Sequence, residues 1–524
     1  MTSSSSLHAH AYPQPVPDAP VTSTAVQQTQ PWIDADKRGM VIRDPWYDFG
    51  TYPGLADEPN TVAQDRMGQM LEHLGVRWVR LEFQIEGHDV ISTTQVAQYD
   101  YFIREVAPRH NFKVLGLLGF SLLRGVPRCD LASLDTWDDP IYGGGINYYM
   151  ETWLNRARMI VDRYEDQIAA YQVLNEQNRL TPECDFIPPT MAARLHTKFY
   201  RFFRQVDRFA PGTGDQSWRD DSAIVLGGLH PAGTSKPGHP NYQTDREYLL
   251  ELYQSDGFAS YRATYGAFPI DGLGYHPYPE EIRNSLQSDM SLITDRLDAV
   301  RNVLEIVEDP DLPFWITEIG YNSAFGSQDD AGQAEFMRRV LMLLSKRTDV
   351  EVFFWFKYED FPPATGPNAQ QWGVVRVPFE DGDCPGGACY DVAGRPVLLR
   401  PSFWVYRELA GLTYSPPEPP ASATIQGPLI GKLATPITLT ATLSRTTVTT
   451  PVTYLWHATD QQSLTRDGVL SDTVSYTWET PGSKVVTLEA RNQAGPVLST
   501  YRITINATGE PLRLFLPFVQ RRSP

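Results

Sequence analysis

Two glutamates each follow a short apolar run, in a pattern that suits paired acid–base chemistry. In YQVLNEQN, residues 171–178, apolar and aromatic positions lead through an Asn into Glu176. In PFWITEIGY, residues 313–321, a similar run leads through a Thr into Glu318. One buried strand that ends in Glu is common, and its carboxylate can belong to a structural ion pair. Two such ends predict carboxylates that face each other across one cleft, as hydrolysis of a glycosidic bond with retention requires.

Composition indicates a folded, acidic protein. The chain has 524 residues, 41% of them hydrophobic, and a net charge of −18. This length has room for one large domain and a smaller one, and the hydrophobic content supports a full core. An acidic surface repels phosphate backbones, so nucleic acid is a poor partner. No apolar run reaches the ~20 residues of a membrane span. We therefore expect a monomer without a membrane span that acts on a neutral or extracellular substrate.

The four cysteines bear on the compartment. Their spacing matches no zinc site. Cys384 and Cys389 lie in one Gly-rich loop and could close a small disulfide, in which case Cys129 and Cys184 would pair across neighbouring loops. Four free thiols in a cytosolic protein are the alternative. The N-terminus lacks a signal h-region. We expect disulfides and a secreted or cell-surface protein whose signal has been removed.

The main part of the chain alternates apolar strands with amphipathic helices. Residues 1–35 are rich in Ser, Pro and Gln and are expected to be a disordered tail, whereas 36–413 carry eight strand–helix units. The predicted strands begin near Met40 and continue at 76–83, 112–120, 168–176, 222–231, 270–278, 313–321 and 350–358, and a helix at 402–409 closes the set. Strands that are apolar on both faces are typical of a parallel sheet, and eight units indicate an α/β fold of the (β/α)8 (TIM) barrel type. A doubly wound sheet is the alternative, but no strand is followed by a Gly-rich phosphate loop.

The last part of the chain changes to a period of two. A Pro-rich linker at 414–422 precedes alternating apolar and polar residues, which predict a small immunoglobulin-like β-sandwich over 423–510. The stretch TPGSKVVTLEARNQAG makes this part similar to PKD-type modules. The usual Trp-x-Phe-Gly-Asp-Gly motif is absent, because His, Ala, Thr and Asp follow Trp456. The tail, 511–524, is either a last strand or an attachment signal.

The barrel gives the two glutamates a common location. Side chains at the C-terminal ends of barrel strands face one cleft, and the two glutamates end the fourth and seventh strands. At ~5–5.5 Å apart, one carboxylate can attack the anomeric carbon while the other protonates the leaving oxygen. We assign Glu318 as the nucleophile and Glu176 as the acid/base, and we expect a raised pKa for Glu176.

Asn-Glu after the fourth strand, with Glu after the seventh, resembles the clan A retaining glycoside hydrolases over residues 40–411. LNEQN is similar to the Asn-Glu-Pro-Asn motif of family thirty-nine, and other positions are similar to family five. Family five has a His at the end of the third strand, where this chain has LLGFSLL with Ser121 as the nearest polar residue.

The resemblance implies roles for five further residues, which we expect to bind substrate or hold the nucleophile. It implies that Arg80 holds the nucleophile and that Asn175 binds the sugar 2-hydroxyl. His276-Pro-Tyr278 is similar to the family's His-x-Tyr, which implies that Tyr278 donates a hydrogen bond to the nucleophile, and we expect His276 to bind substrate. Trp355 would form the aromatic floor under the cleaved sugar.

Each of these residues also has a structural interpretation. Arg80 could pair with Glu82, and Trp355 could belong to the barrel core, as could the His and Tyr of the sixth strand. His230, at the end of the fifth strand, could line the cleft. No His or Cys cluster has metal-ligand spacing, so we expect neither a metal nor a cofactor.

These features predict a secreted, retaining β-glycoside hydrolase that cleaves β-linked poly- or oligosaccharides by double displacement. A carbohydrate-binding or adhesive protein on a catalytically retired barrel is a second hypothesis. A transglycosylase would use the same residues and is a third. Specificity is expected in the long loops 121–147, 231–245 and 359–398; they leave open the sugar, the linkage, and whether cleavage is endo or exo.

Overall fold

The protein contains a barrel and a β-sandwich. The computed structural model describes residues 32–42, 60–84, 93–123, 131–179, 186–204, 221–231, 243–279, 286–325, 329–362, 369–381, 388–391, 394, 396–412, 419–444, 448, 452–492 and 495–509. Most of the predicted N-terminal tail, residues 414–418 of the linker and the C-terminal tail lie outside these ranges, and so do Cys129, Cys184 and Cys384. The disulfides and the domain limits therefore stay predictions.

Eight parallel strands close into a barrel in chain order, which confirms the predicted fold and excludes the doubly wound sheet. The strands are β1 (Arg38–Val41), β2 (Trp78–Glu82), β3 (Lys113–Leu118), β4 (Ala170–Val173), β5 (Ala223–Leu229), β6 (Gly272–Tyr275), β7 (Phe314–Gly320) and β8 (Val350–Phe356). Each lies within or next to the run that predicted it, because a buried parallel strand is apolar on both faces.

Nine main helices pack around the described part of the barrel. They are α1 (Thr61–Leu74), α2 (Thr93–Tyr101), α3 (Tyr148–Tyr164), α4 (Pro189–Arg204), α5 (Asp245–Gln254), α6 (Asp256–Tyr265), α7 (Leu286–Ile306), α8 (Asp330–Lys346) and α9 (Pro401–Leu409). Local chemistry sets several ends: the Asn60 side chain accepts from the Ala63 amide at the start of α1, and Gly75 ends that helix in the left-handed region at φ 79°. The sequence analysis did not predict α6, which begins only two residues after α5 ends, or the hairpin formed by Trp137–Asp139 and Gly143–Ile146.

Alternation along the strands divides the barrel side chains into two layers. The interior layer contains Val41, Trp78, Leu115, Ala170, Val225, Trp315, Val352 and Phe354. On β2, the period of two places Trp78, Arg80 and Glu82 on this interior face, whereas Val79 and Leu81 belong to the layer beneath the helices. Arg80 and Glu82 lie nearest the C-terminal end of the strand, so the period directs both side chains to the mouth of the barrel.

The C-terminal unit is a sandwich of two sheets. One contains Ser422–Gln426, Ile437–Ser444 and Ser471–Tyr476, and the other contains Ile430–Lys432, Val452–Ala458, Leu464–Gly468, Gly482–Asn492 and Gly495–Asn506. Trp456 and Trp478 are both buried in its core. The indole of Trp456 donates to Asp472 Oδ2 at 2.8 Å. This arrangement confirms the predicted all-β unit. Among the described residues, no helix has the length and apolar character needed to cross a bilayer.

A buried ion pair joins the segment after β8 to the closing helix. Arg400, which is fully buried, donates from Nη1 and Nη2 to the two carboxylate oxygens of Asp360 at 2.9 and 2.8 Å. Its Nε donates to Asp330 Oδ1 at 2.8 Å, at the start of α8. Asp360 also accepts from the Gly373 amide at 3.0 Å and from Arg376 Nε at 3.2 Å. The cluster fixes the long segment that returns from β8 to α9.

We expect Arg400→Met to lower the free energy of unfolding strongly, because Asp360 would then keep only the partly exposed Arg376 as a cation. Breaking a buried pair costs roughly 3–5 kcal/mol, and Arg376 should place this variant at the lower end. Chemical denaturation of the variant and the wild type measures the difference. Arg338→Met is the matched control: Arg338 makes the same bidentate contact to Glu408, at 2.9 and 2.7 Å, with both side chains about a third exposed or more. Its loss should be about 0–1 kcal/mol, and equal losses in the two variants would contradict the role of burial.

Candidate active site

The two predicted carboxylates meet at the mouth of the barrel. Glu176 follows β4 and Glu318 lies near the end of β7, and their side chains are 15% and 13% exposed. One oxygen of each carboxylate and one ring nitrogen of His276 all lie within 4.8 Å of one another. Two groups from strands in opposite halves of the barrel thus lie close together, and their catalytic roles stay predictions.

Glu318 is held by two donors. Arg80 Nη1 donates to Oε1 at 2.8 Å, and the Tyr278 hydroxyl faces Oε2 at 3.4 Å. The same guanidinium donates from Nε to Gln172 Oε1 at 2.9 Å and from Nη2 to Asn175 Oδ1 at 2.8 Å. Arg80 thus uses all three nitrogens in the site, in the position that the resemblance implies for it. The three nitrogens of Arg80 therefore donate to Gln172, Glu318 and Asn175, and not to Glu82 as the structural interpretation expected.

Asn175 is oriented by the two hydrogen bonds that its side-chain oxygen accepts and by the backbone around it. Its Oδ1 accepts from Arg80 and also from Gln172 Nε2 at 3.2 Å, which leaves the amide NH2 as its donating end. The neighbours on both sides, Leu174 and Glu176, have positive φ values of 66° and 44°. Such a conformation costs about 1–3 kcal/mol per residue and is concentrated at functional sites. Asn175 lines the cleft and can donate to a sugar hydroxyl.

His276 is buried behind the cleft and does not line it. Its Nδ1 lies 3.0 Å from Glu176 Oε1, and its Nε2 lies 2.9 Å from Thr317 Oγ1. Because a carboxylate only accepts, Nδ1 carries the proton, and Nε2 can then accept from the hydroxyl. A Cβ at Gly228 of β5 would lie 2.0 Å from Nε2, so this glycine makes the close approach possible. The prediction that His276 binds substrate is therefore wrong, since its contacts position Glu176.

The charge state of Glu176 also differs from the expectation. Burial alone would raise its pKa, but the hydrogen bond from His276, with a smaller contribution from the charge of Arg179, holds the pKa below its ordinary value. Arg179 Nη1 contacts Glu176 Oε2 at 2.7 Å from a side chain that is 55% exposed. The expected raised pKa is therefore wrong for this arrangement. A proton on Glu176 has to compete with two hydrogen-bonding partners.

Two further titratable groups are neutral near pH 7. Burial and the nearby Glu318 and Glu176 raise the pKa of Tyr278 well above 10, so its hydroxyl stays a donor. Burial lowers the pKa of His230 to about 4, although Glu176 opposes this shift. Asn178 holds His230 in place through two backbone hydrogen bonds, both at 2.8 Å. His230 lines the cleft, as one of the open interpretations expected.

Aromatic side chains form a wall of the cleft, but Trp355 is not one of them. The main cavity, about 610 Å³, is lined by Phe325, Phe356, Phe361 and Trp372 beside the polar residues. Trp355 is fully buried and packs against Phe336 of α8 at 6.3 Å between ring centres. The prediction of a floor at Trp355 is wrong because strand alternation turns that side chain toward the helices and turns its neighbour inward.

Trp372 takes part in this wall through two edge-to-face contacts. Its ring centre lies 6.1 Å from that of Tyr278 and 5.5 Å from that of Phe356. Its indole donates to Gln370 Oε1 at 2.7 Å. No sequence pattern assigned a role to Trp372, although it lies next to the tyrosine that faces Glu318.

Among the described residues, one cluster has donor atoms close enough for a metal ion: Glu176, His276 and Glu318. Arg80 and Arg179 already lie 2.8 and 2.7 Å from these carboxylates. Nδ1 of the histidine is the proton donor to Glu176, so this nitrogen offers no lone pair there. A cation would have to displace these contacts, and the arrangement suits acid–base chemistry better than metal binding.

Comparison with protein families gives two matches. Residues 271–372 match the family model described as the glycosyl hydrolase catalytic core, and residues 422–505 match the PKD domain. The first segment contains the sixth, seventh and eighth barrel strands, with Glu318 on the seventh, and it ends at Trp372. No curated protein sequence matches the chain.

Several solved structures are similar to this chain at low sequence identity. An endo-beta-1,4-mannanase from Thermotoga petrophila is 13% identical with a TM-score of 0.40, over 90% of this chain and 98% of the mannanase. A beta-glucosidase from Thermotoga maritima is 13% identical with a TM-score of 0.44, over 74% and 100%. Beta-glucuronidase 2 from Bacteroides uniformis is 12% identical with a TM-score of 0.39, and the match covers 90% of this chain but only 45% of that protein. The proposed function rests on the family matches and not on these structural similarities.

Arg179→Gln should move the high-pH limb of the kcat/KM profile upward. Arg179 stabilises ionised Glu176, so its removal raises the pKa of Glu176 and keeps a general acid protonated to higher pH. An exposed pair is worth roughly 0.2–1 kcal/mol, and a pKa unit is 1.36 kcal/mol, which together give a shift of about 0.2–0.7 pH unit. A pH profile on a chromogenic glycoside that the wild type cleaves measures this shift.

Arg339→Gln is the control for that experiment. Arg339 pairs with Glu335 on the exposed face of α8 at 2.6 Å, so the same substitution removes a surface pair outside the cleft. Its profile should match the wild type. A downward shift in Arg179→Gln, or equal shifts in both variants, would contradict the assignment of Glu176 as the acid.

Proposed function

We propose that this glycoside hydrolase, a barrel with a glycosyl hydrolase catalytic core joined to a PKD domain, cleaves β-linked glycans with retention of anomeric configuration. The observation that carries the proposal is the separation of its carboxylates. Oxygens of Glu176 and Glu318 lie within 4.8 Å. Retaining enzymes place these groups ~5–5.5 Å apart, whereas inverting enzymes need ~6.5–9.5 Å to admit a water molecule between carboxylate and sugar.

Glu318 is the proposed nucleophile. Its two oxygens face Arg80 Nη1 and the Tyr278 hydroxyl, at 2.8 and 3.4 Å, and both are groups that favour the ionised form. One oxygen attacks the anomeric carbon, and the bond from that carbon to the leaving oxygen breaks. The product of this step is a glycosyl ester of Glu318.

Glu176 is the proposed acid/base. In the first step its proton passes to the leaving oxygen, and in the second its carboxylate removes a proton from water, which attacks the anomeric carbon and releases Glu318. The partners of Glu176 match this exchange, because His276 and Arg179 stabilise the ionised form that the second step needs. The same partners lower its pKa, so the first step is favoured at acidic pH.

The substrate class is a neutral carbohydrate with a β linkage. Rings of Phe325, Phe361 and Trp372 line the main cavity, and such faces suit stacking on the apolar faces of sugars. We also infer a secreted or cell-surface monomer. The PKD domain, typical of extracellular proteins, and the acidic net charge of −18 support this location.

A panel of β-linked glucans, mannans, xylans and aryl glycosides, with analysis of the first anomer released, tests the function. Glu318→Ala and Glu176→Ala should each lose about 10²–10⁴-fold or more in kcat, since each removes a group that acts in the transition state. Azide should restore turnover in both variants, with an α-glycosyl azide from Glu318→Ala and a β-glycosyl azide from Glu176→Ala. Glu335→Ala, on the surface of α8, should keep wild-type activity.

Different outcomes distinguish the alternatives. Release of the α anomer from a β-glycoside would exclude retention. Binding without release, unchanged in both variants, would favour the adhesive protein on a retired barrel. Products longer than the substrate, in the presence of an acceptor sugar, would indicate a transglycosylase that uses the same two residues.

A further inference from the structure

A second cavity opens on the other side of Glu318. It measures about 230 Å³ and shares Asn175, Glu318, Phe356 and Phe361 with the main cavity. Glu176 lines only the main cavity. The two cavities are therefore lobes of one cleft that meet at the proposed nucleophile.

The position of the acid fixes which part of the substrate each lobe takes, and this step rests on the proposed function. The leaving oxygen has to lie beside Glu176, and the anomeric carbon has to lie beside Glu318. The sugar ring that becomes attached to Glu318 therefore extends away from Glu176, into the second cavity. We call this cavity the glycone lobe; its polar lining includes Arg80, Glu82, Gln84 and Lys357.

Glu82 is a carboxyl group of the glycone lobe to which the mechanism gives no role. It follows Arg80 by two residues on β2, so both side chains point into the mouth of the barrel. Ser121 Oγ donates to Glu82 Oε1 at 2.6 Å, and a Cβ at Gly119 would lie 2.7 Å from the same oxygen. The Tyr99 hydroxyl donates to the backbone carbonyl of Glu82 at 3.1 Å. The carboxyl group is therefore fixed in place at the edge of the lobe.

Burying a carboxyl group is costly unless it acquires partners. Burial raises the pKa of Glu82, against the opposing effects of Ser121 and Arg80. The guanidinium of Arg80 is already directed to Glu318, Asn175 and Gln172. Glu82 is partly buried and lines the lobe, so hydroxyl groups of a sugar there can reach its carboxyl group and serve as further partners.

We propose that Glu82, oriented by Ser121, recognises hydroxyl groups of the sugar unit whose anomeric carbon is attacked, and that this unit is a neutral pyranose. A carboxylate accepts from two adjacent hydroxyls at once, which an amide oxygen does less strongly. Lys357, whose Nζ lies 4.8 Å from the centre of the Phe361 ring, lines the same lobe and can donate to a further oxygen. The negative charge of Glu82 opposes a uronic acid here, because the cations of the lobe, Arg80 and Lys357, already pair with Glu318 and Glu359.

The proposal also assigns a role to Ser121. The resemblance noted from the sequence leads one to expect a His at the end of the third strand, where this chain has Ser121. The short side chain leaves space for Glu82 from the neighbouring strand, and its hydroxyl holds the carboxylate. A carboxylate from β2 thus occupies this side of the cleft.

Deoxy substrates test the role of Glu82. Aryl β-glycosides of the sugar that the wild type prefers are compared with monodeoxy analogues that lack one hydroxyl each. A charged hydrogen bond predicts that the wild type loses about 10- to 100-fold in kcat/KM on the analogue that lacks a contacted hydroxyl. In Glu82→Gln, kcat/KM on the parent glycoside should fall by a similar factor, whereas kcat/KM on that analogue should change little. The ratio of kcat/KM on the parent to kcat/KM on the analogue should therefore fall toward one. Relative activity on the corresponding uronide should rise in the same variant.

Ser121→Ala is the second variant, and it keeps the carboxyl group but removes its orienting donor. It should lower the same ratio by a smaller, several-fold factor, and it decides the question if Glu82→Gln does not fold. A ratio equal to that of the wild type in the folded variants would overturn the proposal. A wild type that cleaves no glycoside at all would instead overturn the proposed function, so the two failures are distinguishable.

Discussion

The guanidinium of Arg80 is the interaction on which the site depends. From the interior of β2 it reaches Gln172 and Asn175 at the end of β4 and Glu318 on β7, through three hydrogen bonds of 2.8–2.9 Å. A planar group with fixed donor directions fixes the geometry of its acceptors. Arg80 is 3% exposed, so its charge and that of Glu318 have to remain paired. The closed barrel makes this possible, because it brings the ends of these distant strands to one place.

The surrounding charges give the two proposed catalytic carboxylates different environments. Glu318 faces a permanent cation and a phenol, whereas Glu176 faces His276 and the exposed Arg179. Two carboxylates this close repel each other, and a separate cation for each reduces that cost. Arg179 is exposed at the cleft, so a bound substrate can change its contact with Glu176. Arg80 is buried and keeps its contact with Glu318. This difference matches a nucleophile that stays ionised and an acid/base that changes its protonation twice in each cycle.

The barrel, and the residues that meet at the C-terminal ends of its strands, could be predicted from the sequence. The face to which a strand side chain points, and contacts between distant elements, could not. Eight apolar runs were sufficient to predict the barrel, and the strand ends placed the two glutamates at one cleft, whereas the role expected of Arg80 came from the resemblance to the clan A glycoside hydrolases. The prediction of an aromatic floor at Trp355 was wrong because a shift of one residue along a strand reverses the face to which the side chain points. The lowered pKa of Glu176 depends on His276, 100 residues away, and no local pattern indicates that contact.

His276 illustrates why the remaining part of the site could not be deduced from spacing alone. Its place beside Glu176 requires a glycine on the neighbouring strand, because a Cβ at Gly228 would come within 2.0 Å of the ring. Gly228 in LGGLHP is therefore needed for the contact between His276 and Glu176, although it carries no functional group. A glycine pair inside a buried strand signals a close approach, but the sequence does not identify the approaching group. The structure identifies this group as His276, which follows β6 and whose Nδ1 contacts Glu176.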